Sequence, residues 1–286
     1  MNHEKKVAII TGSSTGIGYE TSLSLARNGF KTYATMRNLE KAKSLTEIKH
    51  NENLPIDIIE LDVNSNESVN EAIKKIIDQD DRIDVLVNNA GYDVAGALEE
   101  LTLTEFKAQF ETNFFGVIRV MKEVVPIMRS QNHGTIVNVS SIGGKVGVPL
   151  NSAYIATKFA LEGLSDSIRF ELQGFGINVI LIEPGVVRSN FFENVKMATN
   201  ASPHSPYYEL TQKVFSGFVP LMGDTSSSPK QVAETILEAV TTNNPQIRYV
   251  VGKDATSITE NRKKLSDRDF EKWMIESLVD QKGFVR

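Results

Sequence analysis

Two stretches of the chain place a lysine four residues after a tyrosine: YIATK, from Tyr154 to Lys158, and YVVGK, from Tyr249 to Lys253. Such a pair can move a proton. A free tyrosine has a pKa near 10, poorly matched to acid/base work at neutral pH. A nearby ammonium favours the phenolate and brings that value down. The phenol can then exchange a proton with an alcohol or a carbonyl oxygen. Composition makes chance matches ordinary, roughly one for every two chains of this length. Local structure must therefore decide between the two.

The first lies in SAYIATKFALEGLSDSIRFEL, which reads as a helix. Residues four apart on a helix are separated by about 6 Å along the axis and share a face, so Tyr154 and Lys158 can point together. The second lies in IRYVVGK, which reads as a strand ending at a glycine. Four strand residues span about 13 Å, so Tyr249 and Lys253 cannot act as a pair. A proton-transfer group also needs a donor to hold the substrate oxygen. IVNVSS ends an apolar run at Ser140 and Ser141, upstream of the helical pair.

These groups need a partner in the reaction, and the N-terminal stretch VAIITGSSTGIG suggests one. It reads as a buried strand, a turn and a helix start. Gly12 permits the tight turn, Gly16 lets a pyrophosphate approach the helix N-terminus, and Gly18 lets helix and sheet pack closely. The spacing is G-x-x-x-G-x-G, and its place between the first strand and first helix marks a dinucleotide site. An acid ending the second strand would bind an adenosine ribose hydroxyl and repel a 2′-phosphate. Here that strand ends YATMRN, with no carboxylate at Met36 and a guanidinium at Arg37. A guanidinium suits a phosphate dianion, and the Ser13 and Ser14 hydroxyls can add donors. NADP(H) is therefore expected in preference to NAD(H). The other reading of Arg37 is a solvated loop cation.

The elements that must position these residues alternate. Strand-like runs are expected at Val7–Ile10, Thr32–Thr35, Asp57–Leu61, Asp84–Val87, Thr135–Val139, Asn178–Ile182 and Arg248–Val251. Most are continuously apolar, as in strands covered on both faces. Helical patterns lie between them at about 17–28, 38–49, 66–80, 104–131, 152–174 and 229–241. That alternation predicts one α/β domain over residues 1–286, with a doubly wound parallel sheet and helices on both faces. Asp62 and Val63 follow the third strand and NNAG, Asn88 to Gly91, follows the fourth. Ligands of open parallel sheets bind at these carboxyl ends.

One segment breaks the rhythm. Residues 189–228 contain NASPHSP and GDTSSSP, with Phe191, Phe192, Tyr207, Tyr208, Phe215 and Phe218 around them. This is expected to be a substrate lid, the alternative being a plain surface loop. The tail at about 256–286 reads as polar and then helical. Ser266 and Asp269 resemble a capping box, and Phe270, Trp273, Met274 and Leu278 follow at helical spacing, as in a helix docked on the domain edge.

Composition bounds the rest. Of 286 residues, 41% are apolar and 23% charged, ordinary values for a soluble domain. The net charge is −5 with no basic stretch, which argues against nucleic acid as a partner. There is no cysteine, so disulfides and thiol nucleophiles are excluded. His3, His50, His133 and His204 lie far apart in polar sequence, and no metal site is expected. No run approaches the roughly 20 apolar residues of a membrane span, and a cytoplasmic location is expected.

Read in order, TGxxxGxG at Thr11–Gly18, Asp62, NNAG, Asn113 in ETNFFG, Ser141, Tyr154-x-x-x-Lys158 and PGVVRS at Pro184–Ser189 resemble the short-chain dehydrogenase/reductase family over about residues 5–255. The resemblance implies a Rossmann-type sheet of about seven strands, ordered 3-2-1-4-5-6-7. It implies Tyr154 as general acid/base and Lys158 on the nicotinamide ribose. Ser141, thirteen residues before Tyr154, would orient the substrate, whereas Ile236 stands at that distance before Tyr249. Ser140 would be structural, and Asn113 would hold a water in a proton relay behind Lys158. Dinucleotide contacts are implied at Gly12, Ser14, Thr15, Gly16, Ile17 and Gly18, then at Arg37, Asp62 and Val63. Others are implied at Asn89, Ala90 and Gly91, at Tyr154 and Lys158, and at Pro184, Gly185, Val187 and Ser189. Ser189 replaces the family's usual threonine.

YATMRN and RYVVGKDA resemble the hydroxysteroid and retinol dehydrogenase branch. That implies an apolar ketone or secondary alcohol as substrate. A 3-oxoacyl reductase is the alternative enzyme, and a cofactor-binding regulator without turnover is an alternative of another class. The family implies a homodimer or homotetramer built through the helices starting near Thr104 and Ser152.

Overall fold

Seven strands pair in parallel in a computed structural model that describes residues 5–189, 195–218 and 225–279. They are β1 (Val7–Ile10), β2 (Lys31–Met36), β3 (Ile56–Glu60), β4 (Val85–Asn88), β6 (Gly134–Val139), β7 (Ile177–Pro184) and β9 (Arg248–Val251). Their order is β3-β2-β1-β4-β6-β7-β9. Counting these seven alone, it is the expected 3-2-1-4-5-6-7. Two further strands of two residues each, β5 (Val94–Ala95) and β8 (Lys196–Met197), pair separately. The strand order reverses between β1 and β4, and the crevice of such a sheet opens there.

Side chains alternate between the two faces of the sheet. Val7, Ile9, Leu86 and Ile136 pack with residues of α3 (Asn66–Asp80), α5 (Gly116–Gln131) and α6 (Ser152–Leu172), including Val69, Val124 and Leu161. Ala8, Ile10, Val87 and Val137 face the other way, onto Leu25 of α1 (Gly16–Arg27) and Val232 and Ile236 of α8 (Pro229–Thr241). All of these are buried.

Several expected elements differ in detail. The pattern at 38–49 begins as a 3₁₀ turn, Leu39–Ala42, because the Asn38 side chain accepts a hydrogen bond from Glu40 N and starts the turn early. It continues as α2 (Lys43–Asn51). The pattern at 104–131 divides into α4 (Leu103–Phe110), a π turn at Glu111–Phe115, and α5. Hydrophobic spacing cannot show a single wide turn. Here it turns Asn113 inward, to 2% exposure. The segment at 189–228 is not wholly irregular. It contains β8 and α7 (Tyr208–Phe218), whose Val214 is buried.

The tail is helical sooner than its composition suggests, as α9 (Lys253–Lys264) followed by α10 (Asp267–Leu278). Lys253 therefore opens a helix after Gly252, which has φ 113°. The second Tyr-x-x-x-Lys spans a strand end, a turn and a helix start, and the Tyr249 hydroxyl accepts a hydrogen bond from Gln246 N. His3, Phe191 and Phe192 lie outside the described residues, as do positions 219–224 of the lid and 280–286 of the tail.

Candidate active site

The glycine turn and the NNAG segment form one structure. Thr11 Oγ1 accepts hydrogen bonds from Asn89 N and Ala90 N, both at 3.0 Å. Asn89 Nδ2 returns hydrogen bonds to the Thr11 and Gly12 carbonyls. Gly12 has φ 72°, and a Cβ there would stand 2.8 Å from Ala90 Cα. A Cβ on Gly18 would stand 2.5 Å from Asn89 Nδ2. Gly16, at φ 62°, opens α1. Thr15 caps that helix without a side-chain hydrogen bond, and its first turn carries no acid. The N–H groups and positive end of α1 are thus left for an anion, so the residues present fit a dinucleotide pyrophosphate.

A cleft of about 780 Å³ runs from this turn along the strand ends. Ser14, Thr15, Gly16 and Ile17 line it, with Gly12 beneath. Gly18 is not in the lining, and its role is packing. Ser13 is a correction. It is fully buried, donates to the Ile10 carbonyl and accepts from Ser22, so it offers nothing to a ligand. Arg37 lines the cleft and is exposed, as is Lys41, a second cation that the sequence reading missed. The 3₁₀ turn after β2, which hydrophobic spacing does not show, brings position 41 toward Ser14. Asp62 and Val63 line the cleft after β3, and Asp62 accepts from Asn64 N at 3.0 Å. Asn89, Ala90 and Gly91 line it after β4.

Further along stand Ser141, at the end of β6, and Tyr154 and Lys158, on the first turns of α6. The Ser141 hydroxyl accepts from Gly143 N at 3.0 Å and stands near enough to Tyr154 to act on its phenol. Lys158 is 8% exposed; its Nζ donates to the Val139 carbonyl at 2.8 Å and lies 5.5 Å from the Tyr154 ring centre. Burial brings the lysine down to about 8, against upward pulls from Glu162 and Asp93. By surface area Tyr154 is only half-buried, but the cleft walls enclose it, and that enclosure governs its titration. Burial first, and then the Asp93 charge, push its phenol above the ordinary value, while Ser141 pulls it back. The expectation that Lys158 lowers this pKa is not met here. The ammonium is directed at the Val139 carbonyl, and burial dominates the phenol's shift. The phenol is held protonated, the form that donates a proton.

Asn113 is held by its side chain to the loop after β4. Its Nδ2 donates to the Tyr92 carbonyl at 2.9 Å and its Oδ1 accepts from Tyr92 N at 3.1 Å. The side chain therefore clamps the loop after β4. Ser140 is 3% exposed and stands in the cleft lining next to Ser141.

Pro184, Gly185, Val187 and Ser189 line the cleft after β7. Asp254, near the start of α9, was missed. It is 1% exposed, and its Oδ2 accepts from Val186 N at 2.6 Å. Gly185 has room only for hydrogen against that carboxylate. The KDA within RYVVGKDA carried the signal, but nothing in the sequence linked it to PGVV.

The far wall is apolar: Val148, Val214, Phe218, Ile258, Met274 and Leu278. Met274 and Leu278 come from α10, so the tail does more than close the domain edge. Tyr92, Asp93 and Asn151 also line the cleft. Tyr207 of the expected lid is not in the lining and donates instead to Glu99. No described helix is long and apolar enough to cross a membrane, and the described residues contain no metal-ligating cluster.

Comparison with known proteins agrees with this geometry. A family model described as short chain dehydrogenase matches residues 6–200. The chain is 40% identical over 254 residues to the oxidoreductase YusZ of Bacillus subtilis, covering 87% of this chain and 90% of the relative. It is 34% identical to 3-ketodihydrosphingosine reductase of Bacteroides thetaiotaomicron, covering 87% and 88%, and 36% identical to human retinol dehydrogenase 8, covering 85% and 80%. Among solved structures, a short-chain dehydrogenase from Streptomyces avermitilis superposes with a TM-score of 0.81 at 30% identity, covering 95% and 97% of the two chains. ElxO, solved with NADP bound, gives 0.74 at 29% identity, covering 88% and 99%.

Proposed function

The chain belongs to the short-chain dehydrogenase family and is an NAD(P)-dependent oxidoreductase, and we propose that it uses NADP(H) to reduce a largely apolar ketone, or to oxidise the matching alcohol. The observation that carries this reading is the Ser141–Tyr154–Lys158 arrangement, set between the glycine turn and an apolar wall in one cleft.

The bound nicotinamide would supply hydride to the carbonyl carbon. Ser141 Oγ holds the carbonyl oxygen, and Tyr154 gives its phenolic proton to that oxygen as negative charge develops there. An alkoxide is a stronger base than a phenolate, so a phenol held protonated is suited to the reductive direction. Lys158, whose Nζ lies 5.5 Å from the tyrosine ring centre, would hold the nicotinamide ribose hydroxyls beside it. Asn113 keeps the loop carrying Tyr92 closed over this region. Arg37 and Lys41 flank the end of β2 where a 2′-phosphate would lie. Retinol and 3-ketodihydrosphingosine, named in two relatives, are largely apolar, in keeping with the wall from Val148 to Leu278.

NADPH consumption with a panel of long-chain ketones tests the reading. Reduction of these in preference to small polar ketones and 3-oxoacyl thioesters is expected. Preference for the thioesters would replace it. Phe159 and Phe170, 47% and 76% exposed, project from α6 at positions eleven residues apart, on one face. We place self-association there, to be measured by sedimentation.

A further inference from the structure

Asn151, Tyr154, Lys158 and Glu162 follow one another at three- and four-residue spacing, so they share one side of α6 and the turn that caps it. At one end Asn151 Nδ2 donates to Asp93 Oδ2 at 2.8 Å. At the other stands Glu162, 5% exposed and one turn beyond Lys158. Lys158 thus lies between two buried acids. The charges of Glu162 first and Asp93 second favour its ammonium, against the burial that opposes it. Asp93 lines the cleft and acts on Tyr154 as well, whereas Glu162 is outside the lining.

Glu162 is closely fitted in its place. A Cβ on Gly144 would stand 2.8 Å from Glu162 Cγ and 3.2 Å from the Lys158 carbonyl oxygen, so the turn after β6 admits the Glu162 stem because position 144 is glycine. Arg248 Nε, on β9, donates to Glu162 Oε2 at 3.1 Å, and Lys145 Nζ lies 3.9 Å from the same oxygen. Arg248 Nη2 is committed to Asp166, one turn further along α6. Glu183 of β7, 2% exposed, also reaches Arg248 Nε, at 3.0 Å. That nitrogen has a single hydrogen, and Glu162 takes it. Glu183 Oε1 is left without a hydrogen-bond donor among the described residues. Burial first, and then the Glu162 charge, push Glu183 up to about 7. At neutral pH and below, the negative charge of this pair therefore rests mainly on Glu162.

We infer that Glu162 is a positioning residue for the reaction: its carboxylate keeps Lys158 charged, and so keeps the lysine's donors available to the nicotinamide ribose. This rests on the NADP(H) reading proposed above. An ammonium has three N–H groups. The Val139 carbonyl takes one, which leaves two for the ribose hydroxyls. A neutral amine has one fewer and carries no charge. Lys158 stands at about 8 with Glu162 in place, so loss of that carboxylate takes it down toward neutrality.

Titration of the lysine itself tests this. The unaltered protein and Glu162→Gln are labelled with acetic anhydride from pH 5.5 to 10, and acetylation of Lys158 is read by mass spectrometry. NADPH dissociation constants are measured over the same range. Glu162→Gln keeps the side-chain size and an oxygen for Arg248. Its Lys158 midpoint should fall by about one pH unit, the effect of losing one nearby opposite charge. NADPH binding should weaken by about threefold or more near pH 8 and stay level near pH 6, where both proteins hold the ammonium. Glu183→Gln, in the same cluster but on β7, should shift the midpoint by less than half as much. An unmoved midpoint in Glu162→Gln, equal shifts in the two variants, or a lowered midpoint with NADPH affinity intact near pH 8 overturns the inference. If Glu162→Gln does not fold, Lys145→Met removes a half-exposed cation that offsets Glu162 and must raise the midpoint, and an unmoved value there overturns it equally. A lowered midpoint in a protein that binds no NADPH at any pH counts against the cofactor reading, and leaves Glu162 as the group that charges Lys158.

Discussion

Lys158 Nζ donates to the carbonyl of Val139 at 2.8 Å, at the end of the strand that carries Ser141. The catalytic helix and β6 are thus joined by a buried ammonium, and burial brings that group down to about 8 from its ordinary 10.5. Between these two values the unfolded chain holds more protons than the folded one, so stability rises as pH increases through that window. Below pH 8 the gain is absent. Denaturation midpoints measured from pH 7.5 to 10 should climb, and Lys158→Met should flatten the climb. An unchanged slope would show that Lys158 is not the group responsible.

Arg37 lines the cleft at the end of β2 and is exposed. Arg37→Ala should raise the KM for NADPH about tenfold, the worth of one charged hydrogen-bonding contact, and leave NADH little affected. Steady-state kinetics with both cofactors measure this. Equal losses would remove the 2′-phosphate assignment.

Asp254 positions the loop after β7 by accepting from Val186 N at 2.6 Å. A charged hydrogen bond of this kind contributes about 1.5–3 kcal/mol. Asp254→Ala should raise the cofactor KM about tenfold or more, whereas Asp254→Asn, which keeps an acceptor, should recover much of the loss. A purely structural acid would lower thermal stability in both variants without that split between them.

Gly217 of α7 meets the backbone of Leu278 on α10, and a Cβ there would overlap the Leu278 carbonyl. Gly217→Ala should push the two helices apart, at a cost of about 1–3 kcal/mol for forced overpacking. Because Leu278 and Met274 line the substrate wall, the KM for an apolar ketone should rise while that for cofactor stays level. A matching rise in both would mean that the tail supports the whole cleft and not the wall alone.

The sheet was legible in the sequence because strands covered on both faces are written as continuous apolar runs, such as Val7–Ile10. Helix α3 was legible to the residue, since its apolar face is regular and Ser65 caps it. The π turn that carries Asn113 was not, because one wide turn leaves hydrophobic spacing intact. Nor was α7, which lies among proline-rich loops and has few fully buried residues. At the site, Tyr154, Lys158 and Ser141 could be found because helix spacing and a strand end fix them locally. Asp254 and Asp93 could not. Each acts through a contact distant in sequence, Val186 with Asp254 and Asn151 with Asp93, and such contacts exist only once the sheet has closed.

The two Tyr-x-x-x-Lys stretches offer the most direct test. Tyr154 shares the cleft with Ser141 and Lys158, whereas Tyr249 accepts from Gln246 N and its lysine opens another helix. The measurement is NADPH-dependent ketone reduction by Tyr154→Phe and Tyr249→Phe side by side, each checked for folding. Tyr154→Phe should lose at least about a hundredfold in kcat, the usual worth of a positioned proton donor. Tyr249→Phe should keep nearly all of its activity. Full activity in a folded Tyr154→Phe protein would contradict the account.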